Sequence, residues 1–336
     1  MSSTFSFGAL LRRPEAGAAL GLVAVLIFFA IFGGITFLKP SGMASWLNVA
    51  ANLGVIAIPL GLLMIAGELD ISVGAMVPFG AMTVAVISGH YGLPIWIGIA
   101  AALSFGVIVG LVNGFLVIRT AVPSLIVTLG SLFAVQGIVL GLTVLITKST
   151  SVALATDGIA KAMFGDFVLG GQLQVMVLWW LGLTAVYVFF VHLSPFGNWI
   201  FAMGGDKVSA RNAGIPTERL TMILFVLSST SAAFVGMCQA VLYNSAQVAG
   251  GQSFIFNAII SVVVGGVLLT GGFGSVIGIF FGTITFAIVT QGIYYTDFDR
   301  NWSSLIIGVL LLGAVLMNNT FRKMALSYAP NKGGKK

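Results

Sequence analysis

Ionisable side chains are scarce in this sequence: Asp, Glu, Lys and Arg make up 7% of its 336 residues, and only 9 of them are acidic. A soluble domain carries about a quarter charged residues, so an ordinary water-facing surface is excluded. Cysteine occurs once, at Cys238, which excludes an internal disulfide framework and any CxxC redox or zinc site. His90 and His192 are the 2 histidines, too few and too far apart for HExxH or another spaced zinc motif. No GxxxxGK[ST] occurs, so the chain carries no ATP-binding P-loop, and ATP-driven work would need a separate polypeptide. The net charge of +6 is not gathered into a basic stripe with interleaved aromatics, which argues against a nucleic-acid partner.

Apolar residues are abundant instead. They make up 58% of the chain, and the mean hydropathy is +1.10. Runs long enough to cross a bilayer fall near 17–38, 46–66, 72–88, 94–118, 122–146, 173–193, 221–243, 253–270, 275–292 and 302–318. They lack the alternation of barrel strands, and open sheets cannot cross lipid, so the expected class is all-α: a polytopic membrane protein of about ten transmembrane helices. Arg12 and Arg13 before the first run resemble the start of a signal peptide, but that run is of spanning length and no small-residue cleavage site follows it.

Orientation follows from the basic residues, which concentrate in cytoplasmic loops. Ten crossings from an inside N-terminus put Arg12, Arg13, Arg119, Lys207, Arg211, Arg219, Arg322, Lys323, Lys332, Lys335 and Lys336 on one side. Only Lys39, Lys148, Lys161 and Arg300 fall on the other, so N-in and C-in is expected. The chain then divides into a cytoplasmic tail (1–16), one transmembrane domain (17–318) and a basic cytoplasmic tail (319–336). Two connections exceed a turn, a periplasmic one at 147–172 and a cytoplasmic one at 194–220.

Within the cytoplasmic loop, Asp206 is placed to cap a short helix through Ala213, ended by Gly214 and Pro216, with Lys207 and Arg211 on one face. This is either a docking element or a solvated loop anchored to headgroups. Gly271-Gly272-Phe273-Gly274 misses the dinucleotide spacing and reads as a tight turn between two spans. Glycines spaced by four (Gly106, Gly110, Gly114; Gly137, Gly141; Gly274, Gly278, Gly282) suit close helix packing inside one subunit or a dimer seam. Pro59 and Pro78 interrupt the two helices around GELDISVGA, Gly67 to Ala75. There Asp70 or Ser72 is placed to cap the following helix. Glu68 and Asp70 could instead form a gate beside a pathway, or couple an ion. The remaining polar residues within spans are neutral: Asn48, Asn52, Asn113, Thr128, Gln136, Gln239, Asn244, Gln247, Asn257 and Gln291. Neutral amides and hydroxyls suit a hydroxyl-rich solute or bonds between helices, whereas an ion path would show charged rings.

Three blocks then resemble one family. GELDISVGA is similar to GIDLSVG; Asn113 to Gly137, NGFLVIRTAVPSLIVTLGSLFAVQG, is similar to an NG followed by P-S/F-I-x-T-L-G and RG; GGDKVSARNAGI and the later VVVGGVLLTGGFGS are similar to GGN-x-x-AA-x-x-SGI and GG-x-S-L-x-GG-x-GS. In this order, across about 46–318, they resemble the permease subunits of ribose, xylose and autoinducer-2 ABC importers, within the branched-chain amino acid permease superfamily. Departures are Phe256-Asn257 where an acid is common, Gln136 for arginine and Asp206 for asparagine, which fit a subunit paired with a complementary permease.

The resemblance implies a bacterial inner-membrane permease that forms a homo- or heterodimer and binds two cytoplasmic ATPase domains. Docking would run through Gly204, Gly205, Asp206, Lys207, Arg211 and Gly214. A sugar or similar polyhydroxylated solute would arrive from a periplasmic binding protein, past a pathway or gate drawn from Glu68, Asp70, Ser72, Asn48, Asn52, Asn113, Thr128, Gln136, Gln239 and Asn257. No cofactor is expected in this chain, with ATP-Mg on the ATPases, and the chain itself would not be an enzyme. The alternatives are an ion-coupled secondary transporter, for which Glu68 and Asp70 are the candidate acids, and a membrane-embedded enzyme, which the separation of His90 from His192 opposes.

Overall fold

The computed structural model describes residues 15–120, 122–156, 158–302, 304–313 and 315–316. In chain order the helices are α1 (Ala16–Phe32), α2 (Gly34–Leu38), α3 (Pro40–Ile65), α4 (Val73–Val84), α5 (Ile95–Arg119), α6 (Ser124–Thr147), α7 (Gly158–Phe164), α8 (Met176–Leu193), α9 (Pro195–Gly205), α10 (Lys207–Asn212), α11 (Thr217–Tyr243), α12 (Gln252–Val264) and α13 (Val276–Gly292). A last helix, α14 (Ser304–Gly313), follows. Strands β1 (Ser151–Ala153) and β4 (Ser245–Gln247) pair antiparallel, as do β2 (Phe167–Val168) and β3 (Leu173–Gln174). Among the described residues, 7 helices are long and apolar enough to cross a membrane, α4 and α13 counting because they run on through a π-helical turn to His90 and a 3-10 turn to Tyr295, with α1, α12 and α14 as shorter apolar helices. The basic and proximal tails, 1–14 and 317–336, lie outside the described residues.

Helix α3 is the hub. It packs against α8, α11, α12 and α13, and its C-terminal half from Leu53 to Ile65 is buried throughout. In lipid the surroundings are as apolar as a leucine, so what holds such a bundle is close van der Waals fit between helices. Glycine supplies that fit. Gly106, Gly110 and Gly114 press α5 onto the α11 backbone at Thr230, Val226 and Met222, the packing expected within one subunit. Gly278 and Gly282 do the same for α13 against Gly265 and Ser261. Gly137 and Gly141 differ: a methyl at either would meet nothing within 4 Å among the described residues, so neither makes a close helix contact with them.

The helix boundaries depart from the expected runs where backbone chemistry intervenes. The first run, 17–38, breaks at Gly33, and Gly34 turns left-handed at φ +62°. Helix α3 begins at Pro40 rather than near 46, since proline at the first helical position surrenders no hydrogen bond. The run 253–270 holds a helix only to Val264, after which Gly266, Gly271 and Gly272 take positive φ and form the expected glycine turn. A helix of 13 residues rises about 20 Å, short of the ~30 Å hydrocarbon layer. Helix α12 is therefore entered from within the bundle: Gly251, which precedes it, lies against the Gly74 carbonyl and the Pro78 ring of α4. Pro78 has no N–H to give that carbonyl, so the irregularity of α4 and the inward dip before α12 share one cause.

Candidate functional site

Three polar regions line the α3–α4 axis, beginning with the turn that links the two helices. Gly67, at φ +87°, turns the chain after α3, and Asp70 and Ser72 are wholly buried. Asp70 Oδ1 accepts hydrogen bonds from the Ser72 N–H at 2.9 Å and the Ser72 hydroxyl at 2.5 Å. Its Oδ2 accepts a longer one, 3.4 Å, from Ser229 on α11. Ser72 Oγ accepts from Asn113 Nδ2 of α5 at 3.0 Å, and Asn113 Oδ1 accepts from the Ser131 hydroxyl of α6. Leu69 and Ile71 give their N–H groups to Ser124 Oγ and Thr128 Oγ1 of α6 at 3.0 and 3.2 Å. The carboxyl itself is held by Ser72 at the positive end of α4 and by Ser229 of α11, and α5 and α6 join the cluster through Ser72 and the turn backbone; the carboxyl has no cation among the described residues. Of the two expected caps, Ser72 is corrected: it occupies the cap position but its side chain caps nothing, because its oxygen accepts from Asn113 while its hydroxyl donates to Asp70, and it is Asp70 that accepts an N–H, that of Ser72.

The second region lies where α9 and α10 meet that turn. Ser194 caps α9 by accepting the Phe196 N–H, with Pro195 next. Asp206 ends α9 and caps α10, accepting the Ser209 N–H at 2.5 Å. That bond holds the exposed Asp206 carboxyl below the usual carboxylate range. Lys207 turns inward to Glu68 at 2.5 Å, the glutamate side chain being 12% exposed. Arg211 pairs with Glu218 at 2.7 Å with both side chains more than half exposed, an arrangement worth under ~1 kcal/mol. Lys207 and Arg211 therefore point to different partners. Beneath them three glycine segments touch backbone to backbone. The Gly272 N–H donates to the Ile65 carbonyl at 2.8 Å, and a side chain at Gly204 would overlap that carbonyl and the Gly272 nitrogen.

The third region is at the other end of α3. Asn48 donates to the Gln172 carbonyl at 3.0 Å and accepts the Gln174 N–H at 2.9 Å. Asn52 donates to Gln174 Oε1 at 2.8 Å and accepts from Gln239 Nε2 at 3.3 Å. These amides anchor the β2–β3 hairpin to α3 and α11. Beside them, Gln239, Tyr243, Ser245, Gln247, Gly250 and Pro78 line a cavity of about 250 Å³. That is below the ~300–1,000 Å³ of pockets for drug-sized ligands, a size for a small solute. Lys161 bonds the Val241 and Leu242 carbonyls and Asn244 Oδ1, closing the C-terminus of α11 on the same side.

The expected residues are thus divided. Asp70, Ser72, Asn113 and Thr128 form one buried cluster, Asn48, Asn52 and Gln239 another, and Glu68 joins Lys207. Gln136 and Asn257 are half-buried and stand apart from both clusters. Gln174, Ser131 and Ser229 are members that sequence reasoning missed. Gln174 sits in the two-residue strand β3, at the start of the expected run 173–193, and the serines are ordinary within apolar helices, so no local pattern singles them out. Among the described residues no group of acidic, histidine and cysteine side chains could hold a metal.

Spanning helices around buried polar clusters define a multi-pass membrane protein. Residues 42–315 match the family model described as "Branched-chain amino acid transport system / permease component". The chain belongs to that family of ABC permease components, and it is a transport subunit rather than an enzyme. It is 30% identical over 268 residues to an inner membrane ABC transporter permease of Escherichia coli strain K12, covering 78% of each chain. It is 29% identical to the fructose import permease of Rhizobium meliloti, covering 93% of this chain and 87% of that one. It is 26% identical to the ribose import permease of Escherichia coli strain K12, covering 89% and 92%.

Proposed function

We propose that this chain is the transmembrane permease subunit of an ATP-driven ABC importer for a sugar or sugar-like polyhydroxylated solute. In this reading it crosses the bacterial inner membrane ten times, N-in and C-in, as one transmembrane domain between two cytoplasmic tails. It pairs with a second permease, like or unlike, and works with two cytoplasmic ATPase domains, which carry the ATP-Mg, and with a periplasmic binding protein. The observation that carries the reading is the backbone junction of Gly204, Ile65 and Gly272, which ties the loop of α9 and α10 to the turn below α4. An ATPase pushing on Gly204, Gly205, Asp206, Lys207, Arg211 and Gly214 would move α3 and α4 together, because no side chains lie between the segments to absorb the motion. Helix α4 also walls the cavity at the opposite end through Val77, Pro78 and Ala81. Movement there would open or close a chamber whose neutral amides and hydroxyls suit sugar hydroxyls, alternating access by a rigid-body shift.

The test is uptake of radiolabelled pentoses and hexoses in cells that hold or lack the partner ATPase. ATPase-dependent uptake that survives collapse of the ion gradient is expected. Uptake that persists without the ATPase and disappears with the gradient overturns the reading in favour of an ion-coupled carrier.

A further inference from the structure

A second cavity, of about 400 Å³, lies between the C-terminal end of α5 and the N-terminal end of α11. Its walls are apolar, from Phe115, Ile118, Met222 and Ile223, and its rim carries Arg119 and Arg219. Neither guanidinium forms an ion pair among the described residues; Arg119 only stands over the Phe115 ring, 6.0 Å from its centre. The remaining rim charge, Glu218, is already engaged by Arg211 at 2.7 Å. Two cations without carboxylate partners at the mouth of an apolar groove call for an occupant with an anionic head and an apolar body. The α5 surface continuing from the groove is apolar and exposed at Leu111, Val112 and Phe115 (43%, 48% and 54%), as expected of a face turned to acyl chains rather than water.

We infer that this groove binds an anionic phospholipid of the cytoplasmic leaflet, its phosphate held between Arg119 and Arg219 and an acyl chain lying along Phe115 and Ile223. The leaflet rests on the orientation proposed above. Arginine suits the task because its planar donors grip phosphate in pairs, and basic pockets between helix ends on the cytoplasmic side are a recurrent headgroup site. The groove adjoins the α10 loop through the Arg211–Glu218 pair, so a bound lipid would brace the base of α11 beside the proposed docking surface.

Native mass spectrometry of the purified protein in detergent, titrated with phosphatidylglycerol, diphosphatidylglycerol or phosphatidylethanolamine, tests the inference. The wild type is expected to retain the two anionic lipids over the zwitterionic one, and added salt should erode the preference. At about fivefold per arginine, Arg119→Gln with Arg219→Gln should weaken anionic adducts roughly 25-fold. Ile223→Trp, which keeps both charges but fills the groove, should lose them as well. No lipid preference in the wild type, or equal adducts in wild type and both variants, overturns the site. So does a fall in dimer mass with unchanged lipid adducts, which would make the groove a contact between subunits. Adduct formation is independent of transport, so its failure leaves the importer reading standing, and loss of ATP-dependent uptake leaves the lipid site standing.

Discussion

Asp70 is the side chain with the most at stake, since a buried carboxylate with no cation among the described residues depends on its donors. Replacing it with alanine strands the Ser72 N–H and hydroxyl and costs about 1–3 kcal/mol. Asp70→Asn keeps the Oδ1 acceptor that both Ser72 donors use and disturbs only the 3.4 Å contact with Ser229, so its cost should be about 1 kcal/mol or less. Unfolding in detergent checks the order, and uptake checks the role: a gate at Asp70 requires Asp70→Asn to change transport, and unchanged transport reduces the residue to a structural one. Asp206 gives a second expectation, in pH. Its folded pKa is depressed by the Ser209 N–H, so its contribution to α10 is present above the unfolded carboxylate value and is lost as pH falls through the lowered folded one. The protection of the Ser209 amide against hydrogen exchange, taken relative to the intrinsic rate at each pH, should therefore fall on acidification below the ordinary aspartate range. Asp206→Asn, which keeps an acceptor but cannot titrate, should remove that dependence.

Among elements, the junction of α9 with the turns after α3 and α12 makes a sharp distinction between neighbouring glycines. A methyl at Gly204 would collide with the Ile65 carbonyl, whereas one at Gly205 meets nothing within 4 Å. Gly204→Ala should separate the segments, lower stability by about 1–3 kcal/mol as overpacking does, and, on the proposed function, reduce sugar-stimulated ATP hydrolysis once the chain is assembled with its ATPase. Gly205→Ala should leave both unchanged, and equal effects would show that the contact transmits nothing. The sequence puts both glycines on the loop expected to dock an ATPase but cannot separate them, because φ and tertiary approach are invisible in a GG pair. Helix α10 was legible, since an aspartate cap and a Gly-x-Pro stop are local chemistry. The short α12 was not: its apolar run continues beyond Val264, and only the left-handed glycines after it end the helix. The destination of Lys207 was equally hidden, because its partner Glu68 lies 139 residues away in sequence.

For the whole molecule, the apolar runs made the helical class and most spans legible, because lipid demands internal hydrogen bonding and so leaves little choice of structure. Which runs cross and which dip is decided by packing. The pairing of β1 with β4 and the reach of Lys161 to the end of α11 gather the 147–172 connection and the 244–251 segment at one end. The α9–α10 loop gathers with the α3 and α12 ends at the other. These two ends match the division that the basic residues suggest, and the division can be tested directly. Cys238 is buried and is the 1 cysteine in the chain, so Cys238→Ala gives a silent background. Val208 on α10 and Ile159 on α7 are 69% and 70% exposed, so cysteines placed there should tolerate labelling. In intact cells a membrane-impermeant maleimide should reach Ile159→Cys once the outer membrane is permeabilised, and should reach Val208→Cys only in inverted vesicles. Labelling of both from the same side would mean an odd crossing between them has been miscounted, and the proposed orientation, with the docking surface that depends on it, would fall.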